Sequence, residues 1–230
     1  MHITLQKKSP AVKKQDPPTK ILIVDDHPSV REGLALRISL HDDLEVCGEA
    51  ESEDEALTLV QKTQPDLVLV DISLRSGHGI ELIKRIRAFD PKIRMLVISG
   101  FQESLYAERA FRAGALGYLN KQESNDKMIE AIRTVIAGEH FLSPEIRRRL
   151  INQALKTSDL TKTPIEQLTD RELEVFRMIG EGLTTSSIAN RLFLSTHTID
   201  THRENIKRKL ALNSAAELSR TAVQWLLENG

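Results

Sequence analysis

The chain has 230 residues, 40% of them apolar and 28% charged, a balance that excludes a fibrous or disordered protein and leaves room for two domains with a core each. A net charge of -1 means that any nucleic-acid contact must come from a local patch, because the chain is no polycation. The single cysteine, Cys47, rules out an internal disulfide, and no run reaches the ~20 apolar residues of a membrane helix, which points to the cytoplasm and away from a membrane partner.

Residues 1–19 mix Lys7, Lys8, Lys13 and Lys14 with Pro10, Pro17 and Pro18 and offer little to bury, so they read as a flexible tail. From residue 20 the pattern changes. Apolar runs at Ile21 to Val24, Leu44 to Cys47, Leu67 to Val70, Ile93 to Ile98 and Leu116 to Leu119 predict five strands. Amphipathic stretches near Val30 to Leu40, Asp54 to Thr63, Ile80 to Phe89, Glu103 to Ala113 and Asn125 to Ala137 predict a helix after each. Strict βα alternation implies a parallel, doubly wound, flavodoxin-like α/β domain over residues 20–138. Residues 139–163 carry Pro144, the run Arg147-Arg148-Arg149 and a polar stretch from Lys156 to Thr163, and read as a linker. Residues 164–230 are helical throughout. Thr169 with Glu172 forms a capping box, Gly182 stops that helix, Ser195 caps a later one, and Ser214 with Glu217 marks another, giving four short helices.

In an open parallel sheet ligands bind beyond the carboxyl ends of the strands. The first strand ends in Asp25-Asp26, the third in Asp71 and the fourth in Ser99-Gly100, while Lys121 follows the fifth. Three converging carboxylates repel one another unless a cation compensates them, and hard oxygen ligands suit Mg²⁺. An ion held by Asp26 and Asp71 would neutralise an incoming phosphoryl group, with Ser99 and Lys121 donating to its oxygens and Asp71 as nucleophile. Taken singly, these residues are equally ordinary as helix caps, strand ends and surface charge. Their joint order along the chain favours one site.

The segments Ile-Leu-Ile-Val-Asp25-Asp26-His-Pro, Val-Asp71-Ile, Ile-Ser99-Gly and Gly117-Tyr118-Leu-Asn-Lys121 resemble the receiver domain of two-component response regulators. The resemblance implies that Asp71 is the phosphoacceptor, that Asp25, Asp26 and the main-chain carbonyl of Ser73 complete a Mg²⁺ site, and that Ser99 and Lys121 contact the phosphoryl group. Tyr118 matches the switch aromatic that swings inward as Ser99 moves. Arg75 stands where the family commonly has proline.

In the helical domain, Ile188-Ala189, Leu192, Leu194, Ile199 and Ile206 have helix-turn-helix spacing, with the turn near Phe193 to Ser195. The face opposite Ile199 and Ile206 carries His197, Thr201, Glu204 and Arg208, flanked by Asp200, Arg203 and Lys207. With Lys209 counted, this helix has a small positive excess suited to DNA phosphates. Leu168-Thr-Asp-Arg-Glu172-Leu-Glu174-Val, Ile188-Ala-Asn-Arg-Leu and His202-Arg-Glu-Asn-Ile-Lys207-Arg-Lys209-Leu resemble the LuxR-type DNA-binding domain, and the whole chain resembles a NarL/FixJ-type regulator. That resemblance places Asp200, Thr201 and Glu204 near bases, with Arg203, Lys207 and Arg208 beside them. It uses the last helix, with Leu218, Ala222, Trp225 and Leu226, for dimerisation. Thr185, Ser186 and Ser187 replace the usual Asn-Lys-Glu type of sequence. His202 reads as a structural residue between helices.

The implied partners are a sensor histidine kinase, double-stranded promoter DNA and a second copy in the active state, with RNA polymerase open as a further contact. The protein would be no enzyme beyond accepting and shedding its own phosphoryl group, with the receiver obstructing the recognition helix or its dimerisation until phosphorylated. Two rivals stay open: an aspartate-nucleophile phosphohydrolase, which would want an acid where Ser73 stands, and a regulator acting without phosphate or through protein contacts alone.

Overall fold

The computed structural model describes residues 17–74, 77–100, 103–144, 146–148 and 164–229. Arg75, most of the expected N-terminal tail, and Arg149 with the polar linker stretch lie outside them. Five strands, β1 (Thr19–Val24), β2 (Leu44–Ala50), β3 (Leu67–Val70), β4 (Arg94–Ser99) and β5 (Gly117–Asn120), alternate with α1 (Pro28–Ser39), α2 (Glu53–Thr63), α3 (Gly79–Phe89), α4 (Glu103–Ala113) and α5 (Asn125–Ile136). All pair in parallel in the order β2-β1-β3-β4-β5.

Alternate residues of each strand face opposite sides, so the continuous apolar runs fill two cores at once. Leu22, Val24, Val68, Val70 and Val97 pack towards α2, α3 and α4, while Ile21, Ile23, Leu67, Leu69, Leu96 and Ile98 pack towards α1 and α5. β1 and β2 run further than their apolar residues suggest, β3 is as expected, and β4 and β5 are each shifted one residue along the chain. β2 continues to Ala50 past a register shift opposite Ile21 and Leu22, because backbone pairing with β1 does not require apolar side chains. Cys47 is half-buried against the first core, with Sγ 3.4 Å from Thr63 Oγ1.

The order reverses between β1 and β3, where a crevice opens at the carboxyl edge. Val24 pairs with Val70, so Asp25 and Asp71 leave the sheet side by side. Ser99 pairs with Asn120, which puts Lys121 at the same edge.

The segment assigned to the linker begins on the sheet. Phe141 bridges Gly117 in parallel, its N–H donating to Leu116 O at 2.9 Å and its carbonyl accepting from Tyr118 N at 3.2 Å. An edge strand such as β5 exposes unpaired backbone groups, and this pairing satisfies them.

The second domain contains α6 (Asp170–Gly180), α7 (Thr185–Leu192), α8 (Thr196–Lys209) and α9 (Ala215–Asn229). Thr169 and Glu172 make the expected capping box, and Ser195 caps α8 through Thr198 N at 3.0 Å. Ser214 caps α9 through Glu217 N, while the Glu217 carboxylate reaches Asn213 N at 2.7 Å. Between α7 and α8 the chain turns at Phe193 with φ +53°, and Ile199 and Ile206 point fully into the core. No helix among the described residues is long and apolar enough to cross a membrane.

Candidate functional site

The strand ends bring Asp25, Asp26 and Asp71 together with His27: ligand atoms of all four lie within 4.8 Å of one another. Asp25 and Asp71 are buried, at 2% and 4% exposure. Lys121 Nζ donates to Asp25 Oδ2 at 2.6 Å and to Asp71 Oδ2 at 2.8 Å. The second Asp71 oxygen accepts from Ile72 N at 2.7 Å. Burial pushes the Asp71 carboxyl up to about 6 against the pull of Lys121, and burial likewise raises Asp26. Burial acts to lower Lys121, but Asp71 and Asp25 prevail and hold it above the ordinary lysine value.

Asp26 Oδ1 is buried without a hydrogen bond. His27 Nδ1 stands 2.7 Å from it as its nearest ionisable neighbour. A desolvated carboxylate oxygen beside two further carboxylates is a site that a divalent cation would complete, so the residues present fit Mg²⁺. Ser73 follows Asp71 by two residues, and its main chain forms an antiparallel bridge with His78.

Ser99 is fully buried, its carbonyl accepts from Lys121 N at 2.9 Å, and its side chain is hydrogen-bonded to Tyr118. Tyr118 already lies inside, 3% exposed. The inward place implied for the phosphorylated state is thus taken here, where burial and the bond to Ser99 raise and lower its pKa in turn, with burial dominant. A cavity of about 440 Å³ beside the ring is closed in part by Phe141, Leu142 and Ile146 from the segment docked on β5.

Sequence reasoning passed over three groups. Arg31 Nη1 donates to Asp25 O at 2.6 Å and holds the turn after β1. His27 N donates to Asp25 Oδ1 at 2.9 Å. Gly79 lies so close to β3 that a Cβ there would sit 2.0 Å from Asp71 O. The Ser-Gly-His-Gly run was the one visible signal of this approach.

On α8, His197, Asp200, Thr201, Glu204 and Arg208 are exposed, and Arg203 and Lys207 are half-exposed. The charge available to DNA is smaller than the residue count implies. Lys209 Nζ donates to Glu172 Oε2 at 2.6 Å inside the domain, and Lys207 pairs with Glu204 at 2.9 Å. His202 is half-buried, its pKa lowered by burial and by Arg171, which fits a structural place between α6 and α8.

Residues 21–133 match the response regulator receiver domain, and residues 166–222 match the bacterial regulatory proteins of the luxR family. The chain is 32% identical to the response regulator GacA of Pseudomonas aeruginosa over 89% of its own length and 95% of that protein. It is 34% identical to the transcriptional regulatory protein LnrK of Bacillus subtilis, over 90% and 97%.

The chain belongs to the LuxR-type response regulators.

A solved LuxR-family response regulator from Aurantimonas is 35% identical, with TM-score 0.55 over 60% of this chain and 99% of that one. RcsB of Salmonella enterica, described as bound to a promoter with a phosphomimetic, shares the fold at 23% identity and TM-score 0.59, over 89% and 98%.

In this regulator the two domains meet through α6. The run Glu172 to Ile179 is buried without a break, which a helix achieves only when it is packed on both sides. One side faces the helical core, where Phe176 and Trp225 rings lie 5.5 Å apart. The other faces the receiver. Arg109 of α4 donates to Leu168 O at 2.8 Å, to Ile165 O at 3.3 Å and to Asp170 Oδ1 at 3.0 Å, and Lys84 of α3 reaches Asp170 Oδ2 at 3.3 Å. Burial alone would raise Asp170, yet Arg109 and its cationic neighbours hold it below the usual carboxylate range. Ser73 Oγ donates to Glu174 Oε1 at 2.8 Å. Contrary to an obstruction laid directly over the recognition helix, the polar stripe of α8 stays exposed, because α6 makes the contact instead.

Proposed function

We propose that this transcriptional response regulator takes a phosphoryl group on Asp71 from a sensor histidine kinase and binds promoter DNA through α8. The observation that carries the reading is the convergence of Asp25, Asp26 and Asp71 within 4.8 Å, with Lys121 bonded to two of them. Asp71 is the nucleophile because it ends β3 at the switch point with one oxygen fixed by Ile72 N. Lys121 holds the charge of the other oxygen, Oδ2, until the phosphoryl group arrives and is then placed to donate to the new oxygens. Mg²⁺, held by Asp25, Asp26, Asp71 and the Ser73 carbonyl, would supply charge neutralisation for the transferred group. Ser99, freed from Tyr118, is the second donor.

The added charge of about -1.5 to -2 biases a two-state receiver. α6 is the element it acts on, since α6 is packed against the loop after Asp71. Release frees the helical domain to dimerise along α9, whose Val223 and Leu227 are 42% and 82% exposed, and to meet a two-fold operator. RcsB with its promoter and phosphomimetic supports the DNA reading, as does the free polar face of α8. The protein acts in the cytoplasm as a phosphoacceptor rather than as an enzyme on other substrates, and contact with RNA polymerase would follow promoter binding. Ser73 in place of a second acid argues against the phosphohydrolase.

Genome-wide occupancy of wild type against Asp71→Ala and Asp71→Asn tests this. Promoter peaks that weaken in both variants are expected. Unchanged occupancy and an unchanged response to acetyl phosphate would remove the phosphorylation switch, and a map without promoter peaks would favour a regulator working through protein contacts.

A further inference from the structure

Glu174 belongs to the helical domain, yet its carboxylate sits against both ends of the loop that follows Asp71, bonded to Ser73 and beside His78. Ser73 Oγ donates to Oε1 at 2.8 Å, and His78 Nε2 stands 3.9 Å from Oε2. The other His78 nitrogen assigns the tautomer: Nδ1 accepts from Ile80 N at 3.2 Å, so the ring proton belongs on Nε2, which is buried without a hydrogen-bond partner and has Glu174 as its neighbouring carboxylate. Arg171 Nη1 holds Oε2 at 2.7 Å and supplies the countercharge that a fully buried carboxylate needs. Ser73 and His78 also bridge each other, and Gly79 N donates to Ile72 O at 2.8 Å. These bonds tie the residues on either side of the loop together, so a hold on Ser73 bears on Asp71 two residues before it.

We propose that Glu174 is a positioning residue for phosphoryl transfer to Asp71: seated between Ser73 and His78, it holds the loop in its unphosphorylated geometry and slows the reaction. The inference rests on the reading of Asp71 as phosphoacceptor. Two physical terms set its direction. The phosphoryl group brings about -1.5 to -2 charge to a loop whose Ser73 is held by a buried carboxylate of the same sign. Ser73 must also present its carbonyl to the cation while its hydroxyl is committed to the other domain. Both costs vanish when Glu174 withdraws. Linkage makes the equilibrium coupling reciprocal, so whatever draws α6 off the receiver, a DNA duplex included, favours the phosphorylated state.

The test uses the full chain, acetyl phosphate and Mg²⁺. In the reaction an Asp71 carboxylate oxygen bonds to phosphorus as the bond from phosphorus to the acetate oxygen breaks, and acetate leaves with the electron pair. Initial rates and half-saturating Mg²⁺ are measured for wild type, Ser73→Ala, Glu174→Ala, Glu174→Gln and the double alanine variant. Ser73→Ala and Glu174→Ala should each raise the rate by roughly fivefold or more and lower the half-saturating Mg²⁺. The double variant should be no faster than either single one, and Glu174→Gln, which keeps an acceptor for Ser73 but removes the charge, should fall between wild type and Glu174→Ala. A purely structural Glu174 would shift the thermal midpoint and leave the Mg²⁺ dependence alone. Rates that stay within about twofold of wild type, or additive effects, overturn the proposal. Should Glu174→Ala fail to fold, Ser73→Ala, which removes a single hydroxyl, decides the question. A wild type that binds Mg²⁺ and takes no phosphoryl group sinks the phosphoacceptor reading together with this one. Normal phosphorylation in wild type and all variants alike sinks only the positioning role.

Discussion

Lys121 Nζ donates to Asp71 Oδ2 at 2.8 Å, yet burial still pushes the Asp71 carboxyl up to about 6. The ammonium group therefore offsets only part of the cost of keeping this carboxylate charged out of water.

That imbalance has a pH signature. A folded-state pKa raised from 3.8 to about 6 means that the native protein holds the proton more tightly than the unfolded chain. The stabilisation this provides is complete below the unfolded value and is lost as pH rises through about 6. With divalent cations chelated, Asp71→Asn should thus be more stable than wild type at about pH 7.5, by at most about 3 kcal/mol. The gap should close as pH falls towards about 4. Denaturant titrations across that window check it, and a gap that widens on acidification would contradict it. Added Mg²⁺ should stabilise wild type and leave Asp71→Asn nearly unmoved.

Gly79→Ala and Gly33→Ala should move stability in opposite directions. A Cβ on Gly79 would meet Asp71 O at 2.0 Å, whereas one on Gly33 in α1 meets nothing within 4 Å. The first should cost about 1–3 kcal/mol as the loop is pushed off β3, and the second should gain about 0.5–1 kcal/mol from helix propensity. Urea midpoints of the two variants make the comparison directly.

On α8, equal charges should behave unequally. Arg208 is exposed, so Arg208→Ala should weaken duplex binding for all sequences and reduce the salt slope by about 1. Lys209 is bonded to Glu172, so Lys209→Ala should lower the stability of the helical domain and leave the salt slope unchanged. Thr201→Ala combined with Arg203→Ala should abolish specific binding. Fluorescence anisotropy over a range of salt separates these outcomes.

Arg109→Ala should loosen the domains. It removes bonds to Leu168 O, Ile165 O and Asp170 together, at a cost of about 1–3 kcal/mol. Small-angle scattering of the unphosphorylated chain should show a larger radius of gyration than wild type. An unchanged value would mean that the other α6 contacts suffice.

The receiver was legible because its signals are local. Apolar runs such as Leu67 to Val70 declare buried strands, Thr169 with Glu172 declares a helix start, and acids at strand ends converge wherever the strands are parallel neighbours. The edges were less legible. Thr19 and Lys20 pair in β1, and Phe141 pairs with Gly117, through backbone groups whose side chains send no signal.

The order of residues alone determined a parallel α/β domain with a carboxylate and lysine edge, followed by a helix-turn-helix domain, because periodicity, caps and turn residues act over a few positions. Only the tertiary structure decided that Lys209 spends its charge on Glu172, that Tyr118 lies inside beside Ser99, and that Glu174 meets Ser73 across 101 positions of chain. Each of these depends on which buried charge or hydroxyl finds its partner once the domains pack, and a desolvated polar group takes whatever partner the fold brings within reach.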